Sequence, residues 1–214
     1  MSDVGADDDA LVVLDGVSRR IHRFGQVTEL LAPVSVTLRS GRLVVVAGPS
    51  GSGKTTLCNI VIGWEPTDSG HVHRHDTDAS GWAALAVAPQ RLALLPELTI
   101  GENLVLPWWA TRRPVPVDEL EELTDLLELT AILDRRPDET SFGQQQRAAI
   151  ARALLGAPRL AVLDEPTGHQ DTKSAGLVVD ALRAARDRGT CVLVATHDPD
   201  VIDAADEVVR LGRA

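Results

Sequence analysis

Residues 48–55 read Gly-Pro-Ser-Gly-Ser-Gly-Lys-Thr, a complete G-x-x-x-x-G-K-[ST] pattern set between the apolar run Leu43–Ala47 and a stretch of helical periodicity. A loop of this kind grips phosphate. Gly48, Gly51 and Gly53 let the backbone curl with its N–H groups turned inward around Pro49, Ser50 and Ser52, and the helix that follows adds its positive end. Lys54 then reaches the β- and γ-phosphates of a nucleotide and Thr55 ligates Mg²⁺, with Thr56 next to them among the expected nucleotide-binding residues. A glycine-rich turn without a ligand is the alternative. The flanking strand and helix signals argue against it, as does Lys54, one of only two lysines in an arginine-dominated chain.

A second group of residues supplies what a phosphate cradle needs. The run Leu160-Ala-Val-Leu ends in Asp164 and Glu165, and successive side chains on a strand point to opposite faces, so the two carboxylates suit different tasks. Asp164 suits the Mg²⁺ shell, through water, and Glu165 suits polarising the water that attacks a γ-phosphate. An acidic pair at a strand end is also a common solvated loop feature, and Lys54 and Thr55 in the same chain weigh against that. His197 follows the apolar run Cys191–Ala195 and is placed to hold the γ-phosphate or orient the attacking water. Gln90, just past Ala83–Ala88, offers an amide to the metal or to that water. Ser141 opens a helix with Gln144 three residues on, a reciprocal capping box. That helix start is a second anion site, one the chain's own cradle does not use, and it suits a partner's nucleotide.

The elements that must position these groups alternate between apolar β-runs and helices. Strands are expected at Leu11–Val17, Val34–Leu38, Leu43–Ala47, Ala83–Ala88, Leu160–Leu163, Cys191–Ala195 and Glu207–Leu211. Helices are expected from Lys54 to Gly63, over Asp118–Leu129, from Ser141 to Leu155, and over Lys173–Arg188. Pro66–Ser80 reads as polar and turn-rich. The implied fold is α/β, a mostly parallel sheet with helices on both faces and the ligand at the strand ends. With 214 residues and 44% hydrophobic content the chain can bury the core of one domain.

The net charge of −10 disfavours nucleic acid and anionic lipid as partners. Cys58 and Cys191 are isolated and read as packing thiols of a reducing compartment. The absence of a signal peptide and of an apolar run of about 18 residues gives a cytoplasmic expectation. His71, His73 and His75 alternate like one face of a strand, either to bind a metal or as solvated edge residues.

Taken in order, these motifs resemble the nucleotide-binding subunit of an ATP-binding cassette (ABC) transporter over nearly the whole chain. The family's phosphate cradle matches 48–55, its glutamine loop Gln90, its signature Thr140–Gln144, its second acidic motif 160–165, and its histidine switch His197. The stretch Asp-Glu-Pro-Thr-Gly-His-Gln-Asp ending at Asp171 is similar to the family's Asp-Glu-Pro-Thr-Gly-Asn-Leu-Asp, which places Asp171 in the family's D-loop, where two cassettes meet. Arg91–Pro107, with Leu94–Thr99 and Glu102-Asn103, is similar to the branch holding lipoprotein-release, macrolide-export and cell-division ATPases.

The resemblance implies a P-loop ATPase fold of ABC type, with an N-terminal antiparallel β-subdomain and an inserted helical subdomain. It implies one ABC domain over 1–214, its nucleotide-binding core at about 10–90 and 158–214 and its helical part at about 91–157. It further implies ATP and Mg²⁺ as ligands and a head-to-tail dimer with a second copy or a paralogous ATPase. In that dimer Ser141, Gly143 and Gln144 close on the partner's ATP. A separate membrane permease would receive the motion through the loop after Gln90, which puts the chain on the inner face of the cell membrane. Trp108-Trp109 would pack either against that permease or locally.

Three departures stand out. Phe142 replaces a glycine of the signature, putting a ring where triphosphate must approach. Ile21 takes the place of the aromatic that stacks on adenine, with His22 and Phe24 as nearby substitutes, and losing such a stack costs roughly 1–3 kcal/mol. Residues 70–89 form a shorter segment than the family norm, implying a trimmed lobe. Besides an ATPase driving export or extraction of lipid, lipoprotein, peptide or drug, these departures leave open a weakly hydrolysing scaffold of a membrane complex. A soluble nucleic-acid ATPase of the same family is disfavoured by the acidic balance.

Overall fold

The inner strands of the main sheet are apolar at every position before their last residue because both of their faces are covered. In the computed structural model, which describes residues 9–23, 26–75, 81–168 and 170–212, the chain begins with two long strands, β1 (Ala10–Arg23) and β2 (Gln26–Arg39). It continues through β3 (Leu43–Ala47), α1 (Lys54–Ile62), β4 (Ser69–Arg74), β5 (Leu85–Ala88), α2 (Ile100–Thr111), α3 (Val117–Leu126) and α4 (Phe142–Leu154). It ends with β6 (Leu160–Asp164), α5 (Thr172–Asp187), β7 (Cys191–Thr196), α6 (Pro199–Asp203) and β8 (Glu207–Arg210).

Five strands form a parallel sheet in the order β5-β6-β7-β3-β8, and three form an antiparallel sheet in the order β2-β1-β4. On β3, Leu43, Val45 and Ala47 join the core under α4 and α5, while Val44 and Val46 join the core shared with α1 and the antiparallel sheet. β6 and β7 divide the same way, with Ala161, Leu163, Val192 and Val194 on the first face and Leu160, Val162, Cys191 and Leu193 on the second. The period-2 alternation of a strand thus feeds two cores at once. Because the five strands are parallel, Ala47, Ala88, Asp164 and Thr196 end on one edge, and the chain emerging there carries Gly48, Gln90, Glu165 and His197.

The antiparallel sheet braces the cradle. β2 passes so close to Gly53 that a methyl there would overlap the Leu30 carbonyl oxygen, and Gly53 has a φ of +93°, which only glycine adopts freely. A methyl on Gly48 would lie 2.7 Å from the carbonyl oxygen of Leu211, just beyond β8. The cradle is therefore wedged between the two sheets.

Three sequence expectations need correction. Pro66–Ser80 is not simply turn-rich, because Ser69–Arg74 pairs with β1 as an edge strand, polar because it contributes little to the core. Its histidines do alternate, and the His71 and His73 rings stack with centroids 6.1 Å apart, yet among the described residues no three His, Cys, Asp or Glu side chains gather as metal ligands. The helix expected over Asp118–Leu129 stops at Leu126, and the chain turns through Glu128 at a φ of +52°. The sequence pattern gives no helix where α2 stands: Pro107 and two tryptophans obscure its periodicity, although Thr99 and Glu102 form a capping box that the sequence spells out.

The same helix start shows what Asn103 does. It is fully buried, its Oδ1 accepts from Leu95 N at 2.8 Å, and its Nδ2 donates to the carbonyls of Leu95, Leu98 and Thr99 at 3.0, 3.2 and 2.9 Å. One side chain thereby fastens the loop 95–99 onto α2. Asn103→Ala takes from Leu95 N and Leu98 O the partner that ties them to α2, while the carbonyls of Leu95 and Thr99 keep their bonds to Leu98 N and Asn103 N, so chemical denaturation should give a loss of about 1–3 kcal/mol. A loss within about 0.5 kcal/mol, the range of ordinary surface substitutions, would refute the fastening role.

Candidate active site

Gly48 emerges from β3, and the cradle delivers Lys54 and Thr55 at the first turn of α1. Lys54 is 7% exposed and donates to the carbonyls of Gly48 and Pro49 at 2.9 and 3.3 Å. Its ammonium also stands 3.4 Å from Glu165 Oε1. A buried cation needs acceptors, and here its own loop and the neighbouring carboxylate supply them. The hydroxyl of Thr55 donates to Asp164 Oδ2 at 2.8 Å.

Asp164 continues the Leu160, Val162 side of β6 and so faces α1, as alternation requires. Its second oxygen, Oδ1, is buried with no hydrogen-bond partner among the described residues. Burial holds the Asp164 carboxyl above the ordinary aspartate range. The Thr55 bond opposes that rise, nearby Glu165 adds to it, and Lys54 opposes it. An orphaned carboxylate oxygen beside a threonine hydroxyl, at the foot of a phosphate cradle, is a donor set that fits Mg²⁺. The same burial pushes the Cys58 thiol far up, with Asp164 contributing, and Cys191 up to about 12, so both cysteines are unreactive core residues.

Glu165 departs from expectation in an informative way. β6 extends through Asp164, and Glu165 lies beyond it at a φ of +49°, so a left-handed turn rather than strand alternation separates the two carboxylates. Its Oε2 accepts from the buried Thr196 hydroxyl at 3.0 Å, and His197 Nδ1 lies 3.1 Å from both oxygens. Thr196 in turn accepts from Asp198 N at 3.1 Å. Glu165 and His197 line one open cleft of about 450 Å³ with Thr167, Gly168, Asp198 and Pro199. Gln90 lies on the other side of Asp164, in a cavity of about 210 Å³ that it shares with Thr55, Cys58, Trp64 and Asp164. The structure thus brings Lys54, Thr55, Gln90, Asp164, Glu165 and His197 to one edge.

Other expected site residues sit apart from that cluster. Ser141 caps α4: its hydroxyl oxygen accepts from Gln144 N at 3.2 Å, and Gln144 Oε1 accepts from Ser141 N at 2.9 Å. Phe142 opens the helix half-exposed, followed by Gly143. Asp171 caps α5 through Ser174 N and Oγ at 2.9 and 3.1 Å, and those bonds hold its carboxyl below the usual range. Ile21 pairs with Thr28 near the end of the β1–β2 hairpin, and Phe24 lies outside the described residues. Trp108 packs locally, over Gly156 and against the helical core, whereas Trp109 is 51% exposed.

Sequence reading missed Thr196 and Gln146, both of which bond Glu165. For Thr196 the available signal was a hydroxyl ending an otherwise apolar strand, directly before His197. For Gln146 it was a third consecutive glutamine that helical spacing turns inward among alanines.

Comparison with known proteins agrees with this geometry. Residues 31–168 match the family model described as ABC transporter. The ATP-binding protein LolD of the lipoprotein-releasing system of Anaeromyxobacter dehalogenans is 38% identical, covering 94% of this chain and 90% of its own. The macrolide export ATP-binding/permease protein MacB of Shigella flexneri is 33% identical over 94% of this chain, which spans 33% of that longer protein. Among solved structures, the dimeric bacterial ABC transporter cassette MJ0796 superposes with a TM-score of 0.83 at 28% identity, covering 95% of each chain. The same cassette in a post-hydrolysis state bound to ADP and Pi gives 0.82, with 94% of each chain covered. With the cradle, the acidic strand end and the histidine on one sheet edge, and these matches spanning most of its length, the chain belongs to the ABC transporter family and is its ATP-binding subunit, an ATPase.

Proposed function

We propose that this subunit hydrolyses ATP to drive a separate membrane permease in extracting or exporting lipid, lipoprotein, peptide or drug cargo. The observation that carries the chemistry is the contact set of Glu165, which links Lys54, Thr196 and His197 beside Asp164. In this reading Glu165 is the general base that takes the proton of the attacking water, and His197 holds that water or the γ-phosphate. Lys54 leaves the carbonyls of its own loop for the β- and γ-phosphates. Thr55 and Asp164, with Gln90 at the rim, would hold Mg²⁺, which would supply positive charge to offset the negative charge developing on the phosphates.

Two cassettes, identical or paralogous, would face each other so that Ser141, Gly143 and Gln144 of one close on the nucleotide of the other, with Asp171 beside that contact. The dimeric cassette MJ0796 supports this arrangement, and Ile21 would lie against the base. The loop past Gln90, fastened by Asn103, would meet the permease at the cytoplasmic face. No helix among the described residues is long and apolar enough to cross a membrane. Similarity to LolD and MacB supports lipoprotein release or export as the transport class.

Two measurements bear on the site. Glu165→Gln keeps the shape and removes the base, so ATP turnover should drop by about 10²–10⁴-fold while nucleotide binding persists. Turnover at the wild-type rate would take Glu165 out of that role. Asp164→Asn tests the cation site through stability. An acid whose pKa folding raises contributes stability below its unfolded value, and that stability is lost as pH rises through the folded value. At neutral pH, without nucleotide, Asp164→Asn should therefore melt above wild type, by about 2–4 °C per kcal/mol relieved. The gap should close toward about pH 4, and the stabilisation that Mg²⁺ adds to ATP should shrink. A variant that melts below wild type at neutral pH would contradict this description of Asp164.

A further inference from the structure

We propose that Gln146 is a positioning residue for Glu165, holding the backbone turn that aims its carboxylate. The inference rests on reading Glu165 as the general base. Glu165 occupies the left-handed region at a φ of +49°, which non-glycine residues hold only when their surroundings force it. Its N–H donates to Ala195 O at 2.8 Å, tying it to β7, and its carbonyl accepts from Gly168 N at 3.1 Å within the local turn. The carbonyl also accepts from Gln146 Nε2 at 2.7 Å, and that donor belongs to α4, a different element.

Gln146 is 6% exposed, in a helix whose neighbouring buried positions are mostly alanine, isoleucine and leucine. Its Oε1 is buried without a hydrogen-bond partner among the described residues. A leucine or methionine would fill that position without orphaning an acceptor, so the amide carries a stability cost that packing does not explain. What the amide adds is its bond to the Glu165 carbonyl. The opposite end of Glu165 is held by Thr196 at 3.0 Å, so the residue is clamped at both its backbone and its carboxylate. Gln146 touches no reacting atom, and its effect passes through the geometry of Glu165. It also lies five residues into the helix that opens at Ser141, about 7.5 Å along the axis. A shift of that helix start therefore reaches the Glu165 turn through a rigid segment and one hydrogen bond.

The test measures steady-state ATP turnover of the full chain carrying Gln146→Met, the shorter Gln146→Asn, Glu165→Gln, or Gln146→Met together with Glu165→Gln. Melting temperatures are recorded for each. Misaiming the base should lower kcat by about 10- to 100-fold in the two Gln146 variants, with KM for ATP unchanged and no fall in melting temperature. The double variant should be no slower than Glu165→Gln alone, because the carboxylate being aimed is gone. A merely structural role would instead lower the melting temperature, raise KM and slow the double variant further, and any of these overturns the proposal. Wild-type kcat in both Gln146 variants, or failure of both to fold, overturns it as well. Wild-type turnover in Glu165→Gln would end the role of Glu165 itself, whereas a slow Glu165→Gln beside a fast Gln146→Met ends only that of Gln146.

Discussion

Asp164 is held out of water at the end of β6 with one oxygen bonded to Thr55 and the other bonded to nothing among the described residues. Much of the surrounding structure follows from keeping it there. β6 is flanked on both sides by parallel strands and covered on both faces, so its last side chain cannot turn to solvent without breaking the register that pairs Asp164 with Ala195. Beside it, Lys54 is equally buried and makes do with two carbonyls of its own loop and the edge of Glu165. Buried charges left partly unsatisfied are costly, and proteins keep them where a ligand completes them. Under the proposed reading, phosphate completes Lys54 and a divalent cation completes Asp164, so binding relieves costs that folding had incurred.

The rest of the molecule positions this edge and connects it outward. The antiparallel sheet presses Leu30 against Gly53, fixing the cradle from one side. On the other side α4 carries Gln146 to the Glu165 carbonyl and Arg152 to the carbonyls of Leu92 and Ala93. Burial lowers the pKa of Arg152, and its two carbonyl partners keep it in place in the helical core. A single helix thus touches the acidic turn and the start of the loop past Gln90. That connectivity is what a cassette needs if events at a phosphate are to move a distant surface.

Much of this was legible in the sequence, for physical reasons that differ from element to element. The strands β3, β6 and β7 could be read because burial on both faces leaves unbroken apolar runs, and parallel strands force their C-terminal residues onto one edge. The cradle could be read because close backbone approach demands glycine at fixed positions. α4 announced itself through the Ser141–Gln144 capping box. α2 carried the same kind of signal at Thr99 and Glu102, but Pro107 within the helix masked it. β4 was hidden because an edge strand need not be apolar. The contacts of Gln146 and Thr196 with Glu165 depend on how α4 and β7 meet β6, and no spacing along the chain encodes that meeting.

The most direct test is a crystal structure of the chain with Mg²⁺ and a non-hydrolysable ATP analogue. The account predicts that the Lys54 ammonium will have left the carbonyls of Gly48 and Pro49 for the phosphates. The Thr55 hydroxyl will have released Asp164, and both residues will face the cation. A nucleotide bound while Lys54 still bonds its own loop and Thr55 still bonds Asp164 would contradict it.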